Sequence, residues 1–180
     1  METHEKKPAV FLDRDGVLNE EKSYISAIEQ LTLFPYVKDC IKKIKEKGYY
    51  TIVITNQSGV ARGMFKEEDL MEMNNYLLKQ IDVDAVYYCP HHPNGIIEKY
   101  TKTCMCRKPE IGLLLRAEKE FNIDMKKSYM IGDRASDITT GKKAGIKTIL
   151  LESGYGTKRL EYDVVPDFIL KDLREVIDIL

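Results

Sequence analysis

The stretch AVFLDRDG, residues 9–16, decides which fold we expect for this chain. Four apolar residues, Ala9 to Leu12, lead directly into Asp13, and Asp15 and Gly16 follow closely. A short, wholly apolar run is typical of a strand buried on both faces of a parallel sheet. Ligands of open α/β sheets bind beyond the carboxyl ends of the strands, so the two aspartates stand where chemistry is expected.

The same alternation continues along the chain. Further apolar strands are predicted at 49–56, 84–90, 128–133, 147–153 and 167–170, and amphipathic helices at 35–48, 66–81, 111–121, 135–144 and 173–180. Strands that alternate with helices indicate βαβ units. We therefore predict an α/β fold with a single doubly wound, Rossmann-like parallel sheet flanked by helices, in one domain over residues 1–180. No insertion is large enough for a cap domain.

Composition excludes several classes of function. The net charge of −1 and the pI near 6.3 lack the basic excess of a nucleic-acid-binding protein. No apolar run approaches the roughly 20 residues that span a bilayer, and the N-terminus lacks a secretory apolar segment. We expect a cytoplasmic protein that has no membrane or nucleic-acid partner, acts on a small molecule and needs to be no more than a monomer.

Acidic and hydroxyl side chains follow three of the predicted strands. The first strand ends in DRDG, the second in TNQSG and the fourth in GDRASD. A single aspartate after a strand is more often a turn or cap residue, but the coincidence at three strand ends is not explained that way. Asp13, Asp15, Thr55 and Asp133 should therefore meet at one edge of the sheet.

This arrangement suits phosphoryl transfer. Asp13 can attack phosphorus and form an aspartyl-phosphate. Mg²⁺ held by Asp13 and Asp133 would offset the repulsion between the two anions. Because nearby like charges raise one pKa, we expect Asp15 to stay protonated as general acid and later to act as base. Gly16 would allow the sharp turn beneath the site.

Donors must also stabilise the equatorial phosphoryl oxygens, because charge spreads over them in the transition state. The hydroxyl group of Thr55 and the backbone N–H of Asn56 are available at the end of the second strand. Lys108 is the expected cation, and it is distinguished from a solvated surface lysine by the sequence that precedes it.

That sequence is CPHHPNGIIEKYTKTCMCRKP, residues 89–109. Cys89, His91, Cys104 and Cys106 form two ligand pairs with twelve residues between them, which is a closed zinc set. His92 competes with His91 as the fourth ligand. In a reducing compartment a disulfide is not expected. Four protein ligands leave no open position, so the zinc would be structural, bracing a loop over about 89–106 and directing Arg107 and Lys108.

The stretches FLDRDGVLN, TNQSGVARG, YYCPHHPNG, CMCRKP and YMIGDRASDI together resemble the haloacid dehalogenase-like phosphatases, in a zinc-loop subgroup. The likeness covers about residues 11–156. It implies Asp13 as nucleophile, Asp15 as acid/base, and Mg²⁺ on Asp13, Asp133 and the backbone carbonyl of Asp15. It also implies that Thr55 and Lys108 stabilise the phosphoryl group. Implied substrate-binding residues are Glu21, Lys22, Ser23, Tyr24, Thr55, Asn56, Gln57, Ser58, Arg107, Lys108 and Arg134, the last where the family more often has lysine.

Two enzyme activities and one non-enzymatic function remain open at this stage. The resemblance implies a heptose bisphosphate as substrate, in the synthesis of nucleotide-activated heptose for lipopolysaccharide. Histidinol-phosphatases share the paired aspartates and a similar zinc loop, although the gap between their ligand pairs is shorter. A zinc-dependent binding module that has lost catalysis is disfavoured because Asp13, Asp15, Thr55, Lys108 and Asp133 are all present.

Overall fold

Six parallel strands form the centre of the computed structural model, which describes residues 5–156 and 164–180. The strands are β1 (Ala9–Leu12), β2 (Tyr50–Asn56), β3 (Ala85–Cys89), β4 (Tyr129–Gly132), β5 (Lys147–Leu151) and β6 (Phe168–Leu170). Their order across the sheet is β3-β2-β1-β4-β5-β6. The predicted α/β class and the parallel, doubly wound sheet are confirmed.

Four helices each connect one strand to the next, from β1 to β5: α1 (Val37–Glu46), α2 (Glu67–Ile81), α3 (Gly112–Phe121) and α4 (Ala135–Lys143). A fifth helix, α5 (Leu173–Val176), follows β6. The closing helix is shorter than the sequence pattern predicts. After Val176 the backbone continues in turns, as in the 3.0 Å bond from the N–H of Ile179 to the carbonyl of Val176. Among the described residues, none of these helices has the length and apolar character that a bilayer span requires.

Helices cover both faces of the sheet. Successive residues of each strand point to opposite faces, so their side chains pack alternately against the two helix layers. In β1, Val10 and Leu12 belong to the core beneath α1, α2 and α5, whereas Ala9 and Phe11 belong to the core beneath α3. All four of these side chains are fully buried. This two-sided burial explains why β1 is apolar throughout.

The connection between β3 and β4 changes the direction in which the sheet grows. Starting from β1, the chain adds β2 and β3 on one side and then crosses to place β4 on the other side. The switch point therefore lies between β1 and β4, where Leu12 pairs with Ile131 and the N–H of Asp13 donates to the Ile131 carbonyl at 2.9 Å. Within the described chain, only a short 3-10 turn and α1 lie between β1 and β2, so no cap domain is inserted there.

Candidate active site

Three buried carboxylates meet at the switch point. Asp13 follows β1, Asp133 follows β4, and Asp137 lies in the first turn of α4, with oxygen atoms that all lie within 4.8 Å of one another. Asp133 accepts a 2.8 Å hydrogen bond from the N–H of Tyr155 through Oδ2, and its Oδ1 has no hydrogen-bond partner in the described part of the chain. Buried carboxylate oxygens, one of them unpaired, fit a hard divalent cation such as Mg²⁺.

The carboxylates of this cluster repel one another. Burial, followed by repulsion from Asp137, raises the pKa of Asp13 to about 6, although Lys108 opposes the rise. Burial and repulsion from Asp13 and Asp137 raise the pKa of Asp133 to about 8. Lys108 and the Arg134 guanidinium, whose Nε lies 3.9 Å from Asp133 Oδ1, compensate the repulsion only in part, and a divalent cation would relieve the remainder.

Lys108 is the cation that reaches this cluster. Its Nζ lies 2.9 Å from Asp13 Oδ1, 2.5 Å from Asp137 Oδ1 and 2.8 Å from the carbonyl oxygen of Ile54. Burial alone would lower the pKa of Lys108, but the charges of the two carboxylates and their hydrogen bonds raise it. Lys108 thus remains an ammonium group although only 3% of its surface is exposed.

Asp15 lies in very different surroundings from Asp13. Its carboxylate accepts hydrogen bonds from Arg14 (Nε 3.1 Å, Nη2 3.0 Å), Asn19 (2.9 Å) and Gln57 (2.8 Å). Burial would raise the pKa of Asp15, but the Arg14 charge and these bonds lower it. The expectation that Asp15 is the protonated carboxyl group therefore fails for the free protein, because the guanidinium of Arg14 stabilises the charged form.

The residues at the carboxyl end of β2 and directly after it form hydrogen bonds with Asp15, with Lys108 and with one another. Gln57 Nε2 donates to both Asp15 Oδ2 and Thr55 Oγ1, the latter at 2.9 Å. Asn56 Oδ1 accepts from the Lys108 N–H, and Asn56 Nδ2 donates to the Lys108 carbonyl, both at 3.0 Å. The Thr55 hydroxyl is only 1% exposed, so it lies behind Gln57 and not on the cavity wall.

A cavity of about 460 Å³ opens above these groups. Most of the predicted site residues line it: Asp13, Asp15, Glu21, Ser23, Tyr24, Asn56, Gln57, Ser58, Arg107, Lys108 and Arg134. Lys22 lies outside, in contrast to the expectation for substrate binding. Its Nζ is bonded to Thr32 Oγ1 at 2.7 Å and to the Gln30 carbonyl at 3.2 Å, which turns the side chain away from the cavity.

Two guanidinium groups lie at the cavity wall. Arg134 Nη2 pairs with Glu21 Oε2 at 2.8 Å, and its Cζ lies 4.4 Å from the centre of the Tyr155 ring. Arg107 Nη1 donates to the carbonyl of His91 at 3.2 Å. A planar guanidinium at position 134 can make both contacts together, which a lysine cannot do in the same way.

Two glycines pack tightly against Asp133. Gly16 has φ +85°, and a Cβ atom there would lie 2.3 Å from Asp133 Oδ2. A Cβ atom on Gly154 would lie 2.0 Å from the same oxygen. Both distances are far below van der Waals contact, so any side chain at either position would displace the carboxylate.

A cluster of three thiols and one imidazole lies beside the cavity. Cys89, at the end of β3, has its Sγ 3.5 Å from Cys104 Sγ and 3.2 Å from Cys106 Sγ, and Cys104 and Cys106 are also 3.2 Å apart. His91 Nδ1 lies 3.3 Å from Cys106 Sγ. Tetrahedral zinc with Zn–S bonds of about 2.3 Å needs sulfur atoms roughly 3.8 Å apart, so the cluster fits this ion with slight expansion.

His92, the alternative ligand, lies outside this cluster. Its Nδ1 accepts a 3.0 Å hydrogen bond from the N–H of Asn94, and its Nε2 lies 3.2 Å from Arg62 Nη2. Both ring nitrogens are therefore directed away from the thiols. Among the described residues, the cluster contains His91 as its only imidazole.

Sequence reasoning missed several residues of the site. Asp137 could have been found, because it stands four residues after Asp133 and caps α4, its Oδ2 accepting from the N–H of Arg134 at 3.1 Å. Arg14 and Asn19 gave no comparable signal. An arginine that is 1% exposed beside an aspartate is visible only once the chain has folded.

Comparisons with known proteins agree with this geometry. The HAD-hydrolase-like family model matches residues 105–176. A D-glycero-beta-D-manno-heptose-1,7-bisphosphate 7-phosphatase of Yersinia pestis is 38% identical over 94% of this chain and 93% of its own length. A D-glycero-alpha-D-manno-heptose-1,7-bisphosphate 7-phosphatase of Photorhabdus laumondii is 41% identical over 86% of this chain and 87% of its own.

A crystal structure of similar shape contains both a metal ion and an anion. It is that of D,D-heptose 1.7-bisphosphate phosphatase from B. bronchiseptica, complexed with magnesium and phosphate. It superposes on this chain with a TM-score of 0.82 and 27% sequence identity, covering 95% of this chain and 96% of that one.

Proposed function

The chain belongs to the haloacid dehalogenase-like hydrolases, among the heptose bisphosphate phosphatases, and from this membership we propose its reaction and its site residues. It is a phosphoric monoester hydrolase that removes the 7-phosphate of D-glycero-D-manno-heptose 1,7-bisphosphate. The observation that carries this proposal is the position of Asp13 at the base of the cavity, 2.9 Å from the Lys108 ammonium and beside Asp15.

The reaction proceeds in two displacements. A carboxylate oxygen of Asp13 attacks phosphorus, the bond from phosphorus to the O7 oxygen of the sugar breaks, and an aspartyl-phosphate forms. Asp15 gives a proton to the departing O7 and later takes one from the water that hydrolyses the intermediate. Because Arg14 and Gln57 hold Asp15 as a carboxylate in the free protein, Asp15 must acquire its proton in the complex with substrate.

Lys108 and Thr55 stabilise the phosphoryl oxygens. The Lys108 ammonium already lies on the nucleophile side of the cavity. Thr55 accepts a hydrogen bond from Gln57, so its own hydrogen remains available for donation, but Gln57 must shift before Thr55 can reach an oxygen of substrate. Lys108, in contrast, is held in place before substrate arrives and costs no reorganisation during the reaction.

Asp13, Asp133 and the backbone carbonyl of Asp15 are the proposed ligands of Mg²⁺. When bound there, the ion would neutralise charge on the phosphate and on the carboxylates. Asp137 lies within the same cluster, and it also holds Lys108. The presence of magnesium in the B. bronchiseptica phosphatase supports this assignment.

Zn²⁺ on Cys89, His91, Cys104 and Cys106 is proposed as structural. Four protein ligands close the coordination sphere, so the ion supplies folding energy to the loop and takes no part in the chemistry. The loop carries Arg107 and Lys108 to the cavity directly after Cys106. A reducing cytoplasm, where the three thiols stay available for a metal, is the compartment that suits this cluster.

The remaining phosphate and the sugar are assigned to the cavity wall. Arg107 and Arg134 supply positive charge for the 1-phosphate, and Glu21, Ser23 and Tyr24 face the hydroxyl groups of the sugar. The product would then enter nucleotide-activated heptose synthesis for lipopolysaccharide. No proposed role requires a residue from a second chain, and we propose that residues 1–180 form one domain that acts as a monomer.

The test is phosphate release from both anomers of the heptose bisphosphate and from histidinol phosphate. We expect kcat/KM to be at least about 100-fold higher for one of the two anomers than for histidinol phosphate, because the site has cations for a second phosphate. A higher kcat/KM for histidinol phosphate would reverse the assignment. Failure to release phosphate from any sugar phosphate would favour a binding module.

A further inference from the structure

Asn56, the last residue of β2, forms two hydrogen bonds with the backbone of Lys108. Its Nδ2 donates to the Lys108 carbonyl and its Oδ1 accepts from the Lys108 N–H, each over 3.0 Å. The two residues are 52 positions apart in the sequence. One side-chain amide thus meets both hydrogen-bonding groups of a single backbone residue, as an adjacent strand would.

Lys108 needs such an anchor because it lies on a loop. No strand carries it, and it follows Cys106 by two residues in an irregular segment before α3. Its ammonium must nevertheless reach Asp13 and Asp137 at hydrogen-bonding distance inside a buried cluster. A displacement of about 1 Å at a catalytic group can cost on the order of 100-fold in rate.

The thiol cluster cannot fix Lys108 alone. It holds the loop at Cys106, and four backbone torsions, around the single intervening residue Arg107, still separate Cys106 from Lys108. Asn56 acts directly at Lys108 and belongs to the sheet, since β2 pairs with both β1 and β3. The sheet that supports Asp13 therefore also supports the backbone from which Lys108 extends.

We propose that Asn56 is a positioning residue whose side-chain amide fixes Lys108 for phosphoryl transfer, in place of the substrate contact expected from the sequence. Both heteroatoms of the amide are directed at the Lys108 backbone. The inference rests on the proposed function only in giving Lys108 a role at the phosphoryl group, and that role is shared by every phosphomonoester the cavity accepts.

A double-mutant cycle tests the proposal. Asn56→Ala should lower kcat by about 10- to 100-fold with KM changed less than about 3-fold, because alignment is lost and binding is not. In a Lys108→Ala background the same change should cost less than about 2-fold, since Asn56 then has no cation to position. Equal losses in both backgrounds would overturn the proposal, because they would mean that Asn56 acts on substrate directly.

Two further variants separate positioning from general destabilisation. Asn56→Asp preserves size but sets an oxygen against the Lys108 carbonyl, so its kcat should fall at least as far as that of Asn56→Ala. Asn74→Ala is the control, because Asn74 is the more deeply buried of the two asparagines and neither of its amide atoms has a hydrogen-bond partner within the described residues. It should leave kcat unchanged. If Asn74→Ala loses as much kcat as Asn56→Ala, the effect is structural and the proposal fails.

The choice of substrate separates this proposal from the proposed function. The cycle is run on the kcat for p-nitrophenyl phosphate, which contains no heptose, and the Kd of inorganic phosphate, measured by calorimetry, should change less than about 3-fold in Asn56→Ala. Poor turnover of heptose bisphosphate together with a non-additive cycle would refute the substrate and retain the positioning role. An additive cycle on kcat would refute the role of Asn56 whichever sugar is hydrolysed.

Discussion

Asp13 and Asp15 are separated by one residue, yet their surroundings pull their pKa values in opposite directions. Asp15 is bonded to the Arg14 guanidinium, which lowers its pKa despite burial. Asp13 is buried beside Asp137, which raises its pKa. Pairs of carboxyl groups with divergent pKa values are a common feature of acid–base sites. Here the proposed nucleophile is the carboxyl group that burial and repulsion disfavour as an anion.

Asp13→Asn should abolish turnover without unfolding the protein. The amide can still accept the 2.8 Å hydrogen bond from the Arg14 N–H, but it cannot attack phosphorus to form the acyl phosphate. We expect kcat to fall by at least about 1,000-fold, as for other nucleophile replacements. Phosphate release measures the loss, and circular dichroism checks the fold. Turnover within about 10-fold of the native protein would exclude Asp13 as the nucleophile.

At the residue scale, the sequence predicts which residues lie at the site but not the orientation of their side chains. Asp13, Asp15 and Lys108 could be predicted because strand ends and the loop motif fix their backbone positions. The orientation of Asn56 could not, because its partner Lys108 is 52 residues away. The expectation that Lys22 lines the cavity was wrong. Its hydrogen-bond partners, Gln30 and Thr32, lie in an irregular segment whose conformation the sequence pattern does not predict.

At the element scale, the proposed zinc site in the loop between β3 and α3 requires its three thiols. Cys104→Ser should reduce bound zinc from about one ion per chain to well below half, because a tetrahedral site tolerates the loss of a thiolate poorly. Activity should fall with it, since Lys108 leaves the same loop. Cys40→Ser is the matched control, because Cys40 is a buried thiol of α1 remote from the cluster. If metal analysis found about one zinc ion per chain in the Cys104 variant, the proposed role of Cys104 as a zinc ligand would be contradicted.

Asp167, directly before the edge strand β6, forms hydrogen bonds with α4 and β5. Burial would raise the pKa of Asp167, but its hydrogen bonds with Lys142 (2.7 Å) and with the N–H and hydroxyl of Thr148 (2.7 and 2.8 Å) lower it to about 2. A lowered carboxyl pKa stabilises the fold above the unfolded-state pKa near 4, and this contribution is lost as pH falls toward 2.

Asp167→Asn should therefore lower the free energy of unfolding at pH 7 by about 1 kcal/mol, a value reduced from the full pKa shift because the side chain is about one-third exposed. The difference from the native protein should shrink between pH 4 and pH 2. Urea unfolding at pH 7, 4 and 2.5 measures it. A difference that stays constant over this range would contradict the role of the charge.

Strands and helices were predictable because each apolar run matched the burial of its element. β1 is apolar throughout since both of its faces are covered. The last helix was predicted too long, over 173–180, whereas α5 ends at Val176. The apolar residues Ile177 and Ile179 fit a helical pattern equally well, but they pack partly buried from turns.

At the scale of the whole molecule, the carboxylate cluster should cost stability when no metal is bound. Burial and repulsion raise the pKa of Asp133 to about 8, so this carboxyl group costs stability near pH 7 in the metal-free cluster, and Asp133→Asn removes that cost. The amide oxygen of the asparagine can keep the hydrogen bond from the N–H of Tyr155, so we expect the metal-free variant to melt about 2–4 °C above the metal-free native protein, which corresponds to about 1 kcal/mol. Mg²⁺ should raise the melting temperature of the native protein alone.

Thermal unfolding with chelator or with Mg²⁺ gives the four melting temperatures required. A lower melting temperature for metal-free Asp133→Asn would show that repulsion among the three carboxyl groups does not destabilise the fold.

The fold class of the sheet that carries this cluster could be predicted from the sequence, but its strand order could not. Alternating elements imply a parallel sheet, whereas the crossing from β3 to β4 beside β1 is decided by tertiary packing.

The close packing of Gly16 and Gly154 around Asp133 has a consequence for reading natural variation. A homologous chain that keeps every acidic residue but has lost either glycine would retain the reactive groups while lacking the space to align them. Loss of either glycine therefore identifies an inactive homologue, even where all the acidic residues of the site are present.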